Sequence, residues 1–255
     1  LKLLLNGDLT PLLSTFRNWF YLLLNKNSTR FYILDWLLEL YIKNNIESYF
    51  FIQSLDKFKF RHRYDCEYNL FSKPLTKIIK KISINKQNLG LHLSNLSNRN
   101  LNSINLQVDN YKKFISFLNL KNKISFLNRC HFLQFEKNDN YFKLMSNENL
   151  NEDFSIGFYD YPGFRVGTGN SYILYPLNNK ITIRPLICME VSLSSYMKLK
   201  YTKEIEKIIM CLAKRAFLSN SDFSLLWHDN NLISKTQREI YLSIFRKLNI
   251  LYSNY

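Results

Sequence analysis

Two periods of apolar residues take turns along this chain. In 31–44 (FYILDWLLELYIKN), Ile33, Trp36, Leu37, Leu40 and Tyr41 fall on one stripe, the spacing of an amphipathic helix. Helical spacing returns in 74–84, with Pro74 near the first turn, and again in 101–118, 203–217 and 234–248. Residues 11–25 (PLLSTFRNWFYLLLN) are apolar on more than one face and predict a helix packed on the rest. Between these lie short apolar or aromatic runs of strand length: 48–53 (SYFFIQ), Asn88–Leu93 (NLGLHL), 124–127, 154–158, 181–191 (ITIRPLICMEV) and 223–227 (FSLLW). Residues 56–69 read as a loop carrying His62 and Asp65. Strand and helix alternate without hairpin dipeptides, which predicts an α/β fold with a parallel sheet, either a barrel or an open doubly wound sheet. With no repeat, linker or composition break, residues 1–255 read as one domain.

The polar residues that end these runs carry the candidate chemistry. Of the four histidines, His92, His131 and His228 end strand-like runs, and Arg129, Arg165, Asp160 and Glu190 hold similar positions. In a parallel array the C-terminal ends of several strands converge on one rim. Two imidazoles meeting there with a carboxylate would bind a divalent metal. A third would protonate a leaving group. A lone histidine at a strand end is more often a cap than a ligand, so this reading depends on convergence. The loop 160–170 (DYPGFRVGTGN) holds three of the six glycines but matches neither a P-loop nor a dinucleotide fingerprint.

Charge and cysteine usage narrow the classes. The net charge of +15 favours anionic partners, yet the lysines are scattered among Asn, Ile, Phe and Tyr. The tightest basic runs, 57–63 (KFKFRHR) and 77–81 (KIIKK), are short, so no nucleic-acid partner is expected. Cys66, Cys130, Cys188 and Cys211 form no CxxC pair, which predicts free thiols in a reducing compartment. No stretch approaches the ~20 apolar residues of a membrane span. The opening residues show no leader-type cleavage site, and the cytoplasm is the expected location.

Six segments, in order, resemble the NodB-like polysaccharide deacetylases of the branch associated with surface-polysaccharide biosynthesis. Residues 88–95 (NLGLHLSN) are similar to that family's GHEIGLHxSY, and 128–135 (NRCHFLQF) to RQHYLRF. Residues 156–170 (IGFYDYPGFRVGTGN) resemble LGFADxxGFRAGT, and 186–193 (LICMEVSL) resemble xxVMDxxL. Residues 223–232 (FSLLWHDNNL) resemble xSLLWHNxxL, and 35–53 resemble DWLLDLxEKYGIKSxFFF. The resemblance implies a distorted (β/α) barrel, with 1–30 as a helical insertion. It also implies metal-dependent removal of acetyl groups from N-acetylated sugars of a surface polysaccharide or its precursor. Carried over, His92 and His131 would bind the divalent metal, with zinc expected, and His228 would be the general acid. Arg129 and Arg165 would act in catalysis, with Arg129 positioning the base or substrate, while Asp160, Glu190 and Trp227 would meet the substrate. Three features depart from the family. Glu190 stands for its usual Asp, Asn95 for its Tyr, and its first motif, which supplies two Asp and is expected ahead of 1–25, is missing from this sequence, so the barrel is expected to be incomplete at its N-terminal side; Asp8 lies in another context. Those departures imply weakened catalysis and leave open a non-catalytic carbohydrate-binding relative.

Overall fold

The protein's structure is a computed structural model that describes residues 29–55, 65, 66, 68–95, 101–120, 127–135, 141, 142, 145, 150–175, 180–200 and 203–253. The helix expected at 11–25 and the residue His62 lie outside the described residues, as does most of the 1–30 insertion. Helix α1 (Thr29–Lys43) leads to strand β1 (Tyr49–Ile52), helix α2 (Lys73–Ile84) to β2 (Asn88–Leu93), and α3 (Leu101–Phe117) to β3 (Leu127–Cys130). Strands β4 (Glu152–Asp153), β5 (Tyr172–Leu174), β6 (Ile181–Ile183) and β7 (Cys188–Met189) follow. Helix α4 (Lys203–Leu218), strand β8 (Leu225–Leu226) and helix α5 (Lys235–Ser253) close the described chain.

The main sheet has the order β1-β2-β3-β4-β6-β5, parallel except for β5, which runs antiparallel to β6. Strands β7 and β8 form a separate parallel pair. This is a mixed α/β fold with a parallel sheet, as the alternating pattern predicts. No strand pairing among the described residues closes it into a barrel.

Several strand boundaries differ from the expected ones. The run 181–191 is two strands in two sheets, because Pro185 lacks an N–H for the ladder and the chain changes sheet across 184–187. The strand expected at 154–158 is β4, two residues long and earlier, and the strand expected at 124–127 includes Asn128, Arg129 and Cys130. Strand β5 was not expected, since its three residues alternate too briefly to signal.

Packing follows the helical stripes. Ile78, Ile79 and Ile82 of α2 and Ile104, Val108 and Phe114 of α3 share one core with Ile52, Leu89, Leu91, Leu93 and Cys130. The α1 stripe instead meets α5, where Ile33 and Leu37 pack with Tyr241 and Phe245. A third cluster joins Cys188 of β7 to Ile205, Ile209 and Leu212 of α4 and Ile244 of α5. Each fully buried Leu or Phe contributes roughly 1.5–3 kcal/mol.

A buried carboxylate ties β3 to β4. Asp153 accepts from Tyr141 Oη at 2.6 Å, Asn128 Nδ2 at 2.9 Å and Ser155 N at 2.7 Å. Ser155 Oγ donates to it at 3.1 Å and accepts from Cys130 N at 2.8 Å. Burial pushes this carboxyl above its ordinary value, against the opposing pull of those donors. The folded state therefore binds the proton more tightly than the unfolded chain. The Asp153 contribution favours folding below about pH 4 and fades as pH rises through the raised value. Asp153→Asn is expected to flatten that slope and to cost about 1–3 kcal/mol at neutral pH, because an amide NH2 then faces one set of donors. Urea melts of both proteins from acid to neutral pH check this; parallel pH slopes would contradict it.

Candidate active site

The parallel register puts His92 of β2 directly beside Arg129 of β3. Side chains alternate along a strand, so Phe51, Gly90, His92, Leu127 and Arg129 share one face while Leu91 and Leu93 turn to the helices. Gly90 is required by this arrangement. A Cβ there would lie 2.6 Å from the Phe51 ring and 3.0 Å from Leu127 Cβ. The space it leaves holds the Phe51 ring, over which the Arg129 guanidinium sits at 4.2 Å. Beyond the strands, α3 fixes both chain exits through Gln107. Its side chain accepts from Ser94 N at 2.8 Å, and its backbone carbonyl accepts from Ser54 Oγ at 2.5 Å.

Three histidines gather at these strand ends. The His92 and His131 rings are 5.1 Å apart, edge to face, and His228 is near enough that its charge bears on His92. Each uses Nδ1 for support. His92 Nδ1 lies 2.8 Å from the Arg129 carbonyl, which only accepts, so the proton is on Nδ1. His131 Nδ1 donates to Asp65 Oδ1 at 2.7 Å, and His228 Nδ1 to Glu190 Oε1 at 2.7 Å. Both carboxylate side chains are 0% exposed, against 18% for the His131 side chain and 38% for that of His228. No described residue hydrogen-bonds Nε2 of any of the three rings. His131 is followed by Phe132 at φ 57° and Leu133 at φ 53°, a left-handed corner costing ~1–3 kcal/mol per residue. That corner turns the chain immediately after the ring.

Glu190 Oε1 also accepts from His228 N at 2.8 Å and Asn231 Nδ2 at 3.0 Å, while its Oε2 is buried without a hydrogen-bond partner among the described residues. Arg129 Nε is likewise buried and unpartnered. Burial pulls the Arg129 guanidinium down to about 9, opposed by the Glu190 carboxylate, so it remains a cation at neutral pH. Burial, then the Arg129 charge, then the other two histidines hold His92 well below the usual imidazole range. The group thus combines a neutral imidazole, a confined cation and two imidazole–carboxylate pairs. In donor chemistry His92 and His131 suit a borderline ion such as zinc, each with Nε2 open. In number they supply two ligands, and no three His, Cys, Asp or Glu among the described residues are grouped to hold a metal.

Other expected site residues lie on the loop before β5 and just past β8. Arg165 braces its own loop, donating from Nη1 to Gly157 O at 2.9 Å. That glycine-rich loop is fastened to the entrance of β8, where Gly169 N donates to Ser221 Oγ at 2.7 Å; a Cβ on Gly169 would lie 1.9 Å from Asp222 O. Asp160 is half-buried on the same loop. Trp227 packs edge-on against Tyr241 at 5.0 Å and donates to Asn231 O at 3.4 Å. Asp65, Gln53 and Asn231 belong to the site and were not among the expected residues. The one signal for Asp65 was its place in a loop after a strand. No disulfide joins any of the four cysteines.

No family profile matches the sequence, and no curated protein matches it either. The fold is similar to the crystal structure of a "putative polysaccharide deacetylase" from Mycobacterium smegmatis, with a TM-score of 0.63 and 9% identity over 85% of this chain and 70% of that one. The chain therefore has a polysaccharide-deacetylase fold. None of the described helices is long and apolar enough to cross a membrane.

Gly90→Ala is expected to displace Phe51 and, with it, Arg129, at a cost of about 1–3 kcal/mol. In urea melts the double variant Gly90→Ala/Phe51→Leu should lose less than the sum of the single changes. Strict additivity would contradict the packing of Phe51 across Gly90.

Proposed function

We propose that this chain removes acetyl groups from N-acetylated sugars of a surface polysaccharide or its precursor, with a divalent metal, zinc by preference, held by His92 and His131. The observation that carries the reading is the ring pair beside the His228–Glu190 pair, set at the strand ends of a polysaccharide-deacetylase fold. The metal, when bound, supplies polarisation of the acetyl carbonyl and activation of water.

The chain's own residues do the rest. His228 is partly exposed and delivers a proton from Nε2 to the departing amine. Glu190, fixed by three donors on Oε1, orients that ring through its Nδ1. Arg129 positions the base or the substrate with a charge that burial leaves strong and undivided. Arg165, Asp160 and Trp227 complete the substrate side of the site from the loop and from the residue after β8. Glu190 reaches one methylene further than the Asp that the family resemblance implies, and His228 accepts that reach at 2.7 Å.

A second reading, a carbohydrate-binding relative without hydrolysis, is favoured by the two-ligand count among the described residues. Acetate release from N-acetylated oligosaccharides with added zinc separates the two. His228→Ala is expected to lower kcat by about 10²–10⁴ with little change in KM, and His92→Ala to remove zinc-dependent turnover. Variants as active as the parent would overturn the mechanism. Glycan binding that needs no metal, with no acetate released, would establish the second reading.

A further inference from the structure

Asp65 belongs to no helix or strand, yet its carboxylate is wholly buried. One oxygen, Oδ1, gathers donors from behind three strands. Gln53 Nε2, just past β1, lies at 3.3 Å, Asn95 N, two residues past β2, at 3.1 Å, and His131 Nδ1, just past β3, at 2.7 Å. Gln53 is itself oriented, since its Oε1 accepts from Cys66 N at 2.6 Å and its carbonyl from Tyr68 Oη at 2.7 Å. Asn95 is held by Gln134 Nε2 at 2.8 Å. Of these three contacts, that of His131 is the shortest, and it comes from a titratable ring.

The consequence is an asymmetry between the two facing imidazoles. His92 gives its Nδ1 proton to a neutral carbonyl, whereas His131 gives its own to a buried carboxylate. A carboxylate on Nδ1 keeps the proton there, leaves the lone pair on Nε2 and makes that nitrogen the stronger electron donor. We propose that Asp65 is a positioning residue which fixes the orientation and tautomer of His131 and so makes it the stronger of the two ligands. The metal part of this inference rests on the reading of His92 and His131 given above; the tautomer part does not.

The test uses the full chain and zinc alone. Zinc affinity is measured by calorimetry, and the ring tautomers of the metal-free protein by long-range proton–nitrogen correlation spectra. Asp65→Ala should weaken zinc binding by about 10–100-fold and release His131 from the Nδ1–H tautomer, leaving His92 in it. Asp65→Asn retains an acceptor of the same shape, so it serves if the alanine variant fails to fold, and it should weaken zinc in the same direction by a smaller factor. Zinc affinity unchanged in the variants would overturn the proposal while leaving the two-histidine reading intact. Loss of the Nδ1–H form at both His92 and His131 would also overturn it, because a general structural role would disturb the two alike. A parent protein that binds no zinc, but whose His131 tautomer depends on Asp65, would remove the metal reading and retain the positioning role.

Discussion

Two carboxylates buried at the strand ends, Asp65 and Glu190, impose the strictest condition on the site. An uncompensated buried charge costs several kcal/mol, so each must find donors as the chain folds. Each finds the same kinds: an imidazole Nδ1 and a backbone N–H from a strand exit, Asn95 N for Asp65 and His228 N for Glu190. Satisfying the carboxylates therefore orients the rings. The fold cannot meet its own polar requirements without leaving two imidazoles with Nε2 open, and the Arg129 carbonyl sets His92 the same way.

Strand register supplies the second condition. His92 faces Arg129 across β2 and β3, and slipping either strand by one residue would turn its polar side chain into the apolar core under α2 and α3. The same register brings Gly90 opposite Phe51, giving the aromatic ring space to lie beneath the guanidinium. A glycine in the middle of a strand weakens it, and here it allows a buried cation to rest on an aromatic face. Arg129 and Glu190 each keep a buried atom without a hydrogen-bond partner, so the site retains polarity that its own side chains do not use up. Such unmet polar capacity is what a bound substrate can satisfy.

Much of the scaffold was readable from periodicity. The stripe in 31–44 faces α5, and the stripes of α2 and α3 cover the sheet, because helical spacing states which residues must leave water. The polar ends of NLGLHL and FSLLWH stated where strands β2 and β8 open onto loops. What periodicity could not state was where a continuous apolar run changes sheets. Residues 181–191 are buried throughout most of their length, so neither alternation nor polarity marks the break at 184–187. The burial of Asp65 was equally hidden: an acidic residue in a loop that also holds Asp56 and Glu67 looks solvated until three strand exits close around it. Strands of two residues, such as β4 and β7, are defined by their partners more than by their own sequence.

The most direct measurement is a crystal structure of the zinc-soaked protein with anomalous scattering recorded at the zinc edge. The account predicts one peak about 2.0–2.1 Å from Nε2 of both His92 and His131, with His228 still on Glu190. Crystals that show the rings turned apart, or zinc bound only away from both nitrogens, would contradict it.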